Sequence, residues 1–183
     1  MEMNDLSKDY EFFSMQESLQ EVLQFMKVTA QAVGVSIKQF NKEDVIINSN
    51  KSKVQQVVMN LVSNATKFAP PNTTVEVKSA YNKETSVMKI QVSDCGPGIY
   101  PKDFDKLFKP YSKLKSGKKI NPDGLGLSLF ISKRIIEKLD GSITFRSKPK
   151  VKTTFEIKFK ANIIMNLDTV ENLVDMKSQK RDA

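Results

Sequence analysis

At 183 residues, with 39% hydrophobic and 27% charged side chains, the chain is sized for one globular domain with a tail, and no apolar run approaches the roughly 20 residues of a membrane-spanning helix. A single cysteine, Cys95, excludes an internal disulfide framework and a cysteine-based metal site, and it suits an intracellular setting; the absence of histidine excludes imidazole base catalysis, imidazole metal ligands and a phosphohistidine acceptor within the chain. The net charge of +8 comes mostly from scattered lysines, with three arginines and no basic and aromatic interleaving to mark a base-stacking surface, so a small polyanion, a nucleoside triphosphate included, fits it as well as nucleic acid does.

In chain order, a polar start leads to "SMQE" at residues 14–17, a capping box with Ser14 as cap and Glu17 reaching back. Leu19, Val22, Leu23 and Met26 recur at helical spacing, which predicts an amphipathic helix over 15–32, ended by Gly34. Two short strand-like runs follow, "VSIKQF" and "VIIN", and "NSNKSK" supplies caps for a helix over about 51–69 that Pro70 and Pro71 stop. "TVEVKSAY" and "SVMKIQVSD", separated by "NKET", form a hairpin. A loop-rich segment from Gly96 to Pro122 holds a short helical piece near 102–108, a third helix spans 124–139 and closes at Gly141, and "SITFRS" with "TTFEIKFK" makes a second hairpin. Helices and largely antiparallel pairs on this plan give an α/β two-layer sandwich, a mixed sheet packed against three helices. The division follows as a polar segment over 1–9, a domain over 10–160, and a tail over 161–183 that is either a frayed linker or, through the weak spacing of Leu167, Val170 and Val174, a connector helix.

Several residues sit where a plain core would not put them. On the second helix Val54, Val57, Leu61, Ala65 and Phe68 form an apolar stripe, and Gln56, Asn60, Asn64 and Lys67 form a polar one bordering it. Asparagine is a mediocre helix former, so two of them one turn apart either are tolerated on a solvated flank or serve a ligand. In the strand 86–94, period two carries Asp94 onto the core face of Met88, Ile90 and Val92, where it either caps the turn "DCGPGI" or meets a ligand's donors. Thr153 likewise shares a face with Phe155, Ile157 and Phe159. The glycine turns "GPG" at 96–98 and "DGLGLS" at 123–128 lie near the same rim, the latter opening a helix whose amides suit phosphate. Neither fits the P-loop or the dinucleotide fingerprint.

Taken in order, these residues resemble the ATP-binding catalytic domain of sensor histidine kinases, within the gyrase, heat-shock chaperone, histidine kinase and mismatch-repair (GHKL) ATPase superfamily. "QQVVMNLVSNATKF" resembles the N-box, "DCGPGI" the G1 box, "FDKLFKPY" the F-box and "DGLGLSLFISKRIIEKLDGSI" the G2 box, four motifs in the right order across residues 10–160. The resemblance implies the Bergerat-type ATP-binding fold, ATP and Mg²⁺ as cofactors, and specific roles. Asn64 would hold Mg²⁺, Asn60 would support the metal and phosphate side, and Lys67 would meet the phosphates. Asp94 would accept a hydrogen bond from the adenine amino group with Thr153 assisting, while Gly96 and Gly98 shape the turn and Ile99 packs near the base. Phe108 and Tyr111 would anchor a nucleotide lid over 111–123, whose Lys113, Lys115, Lys118 and Lys119 would reach the triphosphate. Gly124, Leu125, Gly126 and Leu127 would set the hinge and the phosphate-facing helix start.

Asn60 stands where ATP-hydrolysing cousins carry a glutamate base, and an amide takes no proton. A kinase acting on a histidine elsewhere needs no such base. The chain departs from the family pattern at Pro122 and Asp123, and Lys150 and Lys152 stand where glycines are expected. These bear on the lid and on rate more than on adenine binding. The function implied is donation of the γ-phosphoryl to a histidine on a separate dimerisation domain, with a downstream response-regulator receiver domain, in a cytoplasmic or cytoplasm-facing setting. Nucleic acid and direct membrane contact are not expected, and the isolated domain is expected to be monomeric. The alternatives are a non-catalytic ATP/ADP-sensing module and a serine or threonine kinase acting on a partner protein.

Overall fold

A computed structural model describes residues 9–41, 44–112 and 125–163. Strand β1 (Glu11–Ser14) runs straight into helix α1 (Met15–Ala32), and Ser14 is both the last strand residue and the helix cap. Its Oγ accepts from the Glu17 amide at 3.0 Å. The carboxylate that closes this cap is not Glu17 but Asp44, which receives the Ser14 hydroxyl at 2.9 Å and the Gln16 amide at 3.1 Å. The box thus ties the helix start to the chain entering β3 (Ile46–Ser49) rather than to its own first turn.

Strand β2 (Ser36–Asn41) follows α1, and helix α2 (Lys51–Phe68) follows β3 with Asn50 as its cap, Oδ1 accepting from the Lys53 amide at 3.0 Å. Strands β4 (Thr74–Asn82) and β5 (Val87–Asp94) form the expected hairpin. After a 3₁₀ turn at Pro101–Lys106 come helix α3 (Ser128–Lys138), β6 (Ser142–Lys148), β7 (Lys152–Lys160) and the two-residue β8 (Asn162–Ile163). Helix α3 starts at Ser128, later than the sequence suggested, because Gly126 takes a left-handed φ of +69° and breaks the helix before it can begin.

The main sheet has the order β2-β4-β5-β7-β6, parallel between β2 and β4 and antiparallel elsewhere. The three helices pack on one face: α2 bridges α1 and α3 and touches β4 and β5, while α3 lies against β6 and β7. This is the mixed two-layer sandwich that the periodicities implied. A second small sheet, β1-β3-β8, was not foreseen: its central strand was read as the run "VIIN", but β1 and the two-residue β8 that pair with it were not. Val54, Val57, Leu61 and Ala65 of α2 meet Met88, Ile90 and Val92 of β5 and Phe155, Ile157 and Phe159 of β7 in one continuous core. Each large side chain fully withdrawn from water there contributes roughly 1.5–3 kcal/mol.

Candidate functional site

The core does not close completely. Between α2 and α3, over the end of the β5–β7 pair, the described residues line a cavity of about 530 Å³, within the range of small-molecule sites. One wall is the polar stripe of α2: Gln56, Asn60, Asn64 and Lys67 all line it. The stripe is therefore a cavity wall, with Asn60 and Asn64 half-buried at its middle and Gln56 and Lys67 exposed at its ends. Phe68, read from sequence as core, also faces this space, being only half-buried one helical turn beyond Asn64.

The floor comes from the sheet. Met88, Ile90, Val92 and Asp94 alternate inward with exposures of 1%, 0%, 1% and 6%, so the carboxylate ends a row of core side chains as period two required. Burial pushes its pKa up from the ordinary 3.8 to about 6, against the opposing pull of the Gly96 amide and the Lys152 charge. Oδ1 accepts from the Gly96 amide at 2.8 Å, so the turn-capping role and the cavity position hold together. Oδ2 is the oxygen left for a ligand. Thr153, register partner of Asp94 on β7, is buried and lines the cavity beside Phe155.

Gly98 and Ile99 line the cavity, whereas Gly96 lies behind it. A Cβ on Gly96 would come within 2.7 Å of both Asp94 Oδ1 and the Phe68 carbonyl, so the glycine lets the turn pack under the carboxylate. Gly98, at φ +66°, has the backbone of Lys148 and Pro149 where a Cβ would be. Its freedom is consumed by the β6–β7 turn, which clamps this loop: the Lys150 amide donates to Pro97 O at 2.7 Å and the Ile99 amide to Ser147 Oγ at 2.8 Å. Ser147 Oγ donates to Lys152 O and pairs with Thr153 Oγ1 at 2.9 Å. Lys150 itself adopts φ +61°, the left-handed conformation for which a glycine was expected.

Leu125, Gly126 and Leu127 line the opposite side, with Gly126 pressed so closely on Ser112 that a Cβ would sit 2.7 Å from its carbonyl oxygen. Because α3 starts only at Ser128, these three residues approach the cavity as a loop and not as a first helical turn. Phe108 and Tyr111 do not line the cavity. Phe108 packs on Phe145, ring centroids 6.1 Å apart, with Lys133 Nζ 5.8 Å from its own ring, and Phe145 in turn stacks toward the cavity-lining Phe155. Tyr111 is 74% exposed at φ +59°. Lys113, Lys115, Lys118, Lys119, Pro122, Asp123 and Gly124 lie outside the described residues, as do positions 164–183 of the tail.

Sequence reasoning passed over Leu107, Ser112, Ser128 and Ile131, which also line the cavity, and Ser147, which fixes its floor. The two serines Ser128 and Ser132 had a signal, the same one-turn spacing as Asn60 and Asn64; Leu107 and Ser147 had none. Among the described residues no group of three histidine, cysteine, aspartate or glutamate side chains could hold a metal. The donor set instead suits a hard cation that takes one amide oxygen from Asn64 and the rest from phosphates and water.

A buried acid at one end, a wall of amides and an ammonium along the side, and backbone turns closing the floor give the cavity two chemically distinct ends. The sequence profile described as histidine kinase-, DNA gyrase B-, and HSP90-like ATPase matches residues 49–163, more than half of the chain, and the chain belongs to that family. It is an ATP-binding domain of the sensor-kinase type. Among similar proteins, the autoinducer 2 sensor kinase/phosphatase LuxQ of Vibrio parahaemolyticus is 28% identical over 170 residues, covering 88% of this chain and 20% of its own length. The virulence sensor protein BvgS of Bordetella bronchiseptica is 36% identical over 124 residues, covering 67% of this chain and 10% of its own. The chain thus spans a fifth or less of these relatives. In fold it superposes on full-length ShkA in complex with AMPPNP with a TM-score of 0.76 at 19% identity, over 90% of this chain and 32% of that one. The catalytic domain of histidine kinase ThkA gives 0.70 at 21% identity, over 82% and 96%. No helix among the described residues is long and apolar enough to cross a membrane.

Proposed function

We propose that the chain binds Mg²⁺-ATP in the cavity between α2 and α3 and presents the γ-phosphoryl to a histidine on a separate dimerisation domain of a longer protein, with a receiver domain downstream and the whole acting in or facing the cytoplasm. The observation that carries this reading is the polarity of the cavity. Its sheet end offers Asp94 to a donor such as the adenine amino group, and its α2 wall offers neutral amide and hydroxyl groups, Asn60 and Asn64 among them, and the Lys67 ammonium, with no carboxylate.

The role of each group follows from that division. Asp94 Oδ2 and the Thr153 hydroxyl select the base, while Ile99 and Phe155 supply the apolar surface against its ring. Lys67 neutralises phosphate charge, and the Asn64 amide oxygen is the protein's ligand for the metal, with Asn60 supporting one turn earlier. Held there by Asn64, magnesium would supply positive charge to offset that of the phosphates. Asp94 is the sole carboxylate among the described lining residues, and Asn60 takes no proton, so no described side chain at the phosphate side activates water or a hydroxyl acceptor. This favours an acceptor nucleophilic without a base, and an imidazole qualifies. It counts against a serine or threonine acceptor.

Incubation with γ-labelled ATP, alone and with the histidine-bearing dimerisation domain of the parent protein, tests the reading. Acid-labile label on the partner and none retained on this chain is the expected result. Retained label on the chain contradicts it, and nucleotide binding with no transfer to the partner replaces it with an ATP/ADP-sensing module.

A further inference from the structure

Asn60 and Asn64 are not alone on their wall. Asn60 Nδ2 donates to Ser132 Oγ at 3.3 Å, and Asn64 Nδ2 donates to Ser128 Oγ at 3.4 Å. Each pair of residues lies one helical turn apart on its own helix, and the pairing runs in opposite senses along the chain, so the two bonds are successive rungs between antiparallel stretches of α2 and α3. Ser132 is fully buried and its hydroxyl has Asn60 as partner, while Ser128 lines the cavity as the first residue of α3. A buried hydroxyl is held in an apolar helix interface only against a desolvation cost, which the amide offsets.

From this juxtaposition we infer that Ser128 and Ser132 are positioning residues, which hold the Asn64 and Asn60 side chains against α3 so that the free end of each amide is kept at the phosphate side of the cavity. An amide's nitrogen and oxygen leave the same carbon in different directions, so fixing the nitrogen fixes the oxygen. A free asparagine can turn either end to a ligand. With its nitrogen turned inward, Asn64 would present a donor to a cation and repel it. A serine hydroxyl can accept from the amide nitrogen or donate to the amide oxygen, so the rung to Ser128 fixes where the Asn64 amide sits on the wall, the rung to Ser132 does the same one turn away, and a bound cation selects the oxygen-inward end. The rungs also link metal binding to the placement of the α3 start, because Leu125, Gly126 and Leu127 enter that helix directly from the cavity side.

The inference rests on the proposed Mg²⁺-ATP reading and is separable from it. The experiment is calorimetric titration of ATP into the 183-residue chain, once with Mg²⁺ and once with chelator, for wild type, Ser128→Ala, Ser132→Ala and Ser128→Thr. Removing one neutral hydrogen bond corresponds to about a two- to tenfold loss. Both alanine variants are expected to lose affinity in that range with Mg²⁺ and to match wild type with chelator, and Ser128→Thr, which keeps the hydroxyl, restores the Mg²⁺-dependent part. Equal losses with and without the metal, or none in either, overturn the positioning role while leaving the nucleotide site standing. Absence of ATP binding by wild type in both conditions overturns the nucleotide reading and this inference with it. Should Ser132→Ala unfold, the Ser128 pair of variants decides alone.

Discussion

Asp94 is held at a cost that its surroundings do not fully offset. An aspartate whose native pKa lies near 6 instead of 3.8 keeps its proton longer folded than unfolded, so stability falls as pH rises through the window from about 4 to 6. At neutral pH the ionised side chain destabilises the free protein by on the order of 2–3 kcal/mol. Asp94→Asn keeps an oxygen for the Gly96 amide and carries no charge, so it is expected to raise the melting temperature by several degrees at pH 7 and to lose most of that gain at pH 4, as thermal scans at the two values would show. An equal or opposite effect at both would mean that the carboxylate is not the strained group. The position of Asp94 was readable from alternation alone, because period two leaves an acid no choice of face. That it also caps its own turn could not be decided from sequence, where capping and ligand binding compete for the same residue.

At the scale of elements, α2 carries three of the proposed functional side chains, and its start is fixed by one residue. Asn50 is 2% exposed and receives the Lys53 amide, so Asn50→Ala is expected to destabilise by about 1–2 kcal/mol in urea titrations. A change below a few tenths would show that the cap contributes nothing here. The helix and its polar stripe were evident in sequence because a 3.6-residue period sustained over five turns has few competitors. The rungs to Ser128 and Ser132 were not, since they join residues 64 and 72 positions apart and periodicity speaks only within a segment. The late start of α3 has the same cause in a different form. Gly126 is glycine because Ser112 presses against it, a contact between loops that local propensity does not record. Ser14 shows a third variant, where the cap was foreseen and its partner was not, because Asp44 lies 30 residues away.

Over the whole molecule, the sandwich places its opening where two helices part above the end of a strand pair, and every wall comes from a different segment of chain. That is why four short motifs in the right order conveyed the family while none of them alone conveyed a site. Of the small β1-β3-β8 sheet only β3 was legible, because β1 and β8 are defined by pairing with it and not by composition. This opening is proposed as a nucleotide site with a base end at Asp94 and a metal end at Asn64. Calorimetric titration of Mg²⁺-ATP and of metal-free ATP into wild type, Asp94→Asn and Asn64→Ala measures it directly. Wild type is expected to bind, Asp94→Asn to lose at least about tenfold in both conditions, and Asn64→Ala to lose affinity in the Mg²⁺ titration alone. Wild-type silence up to millimolar nucleotide, or binding that neither substitution alters, would contradict it.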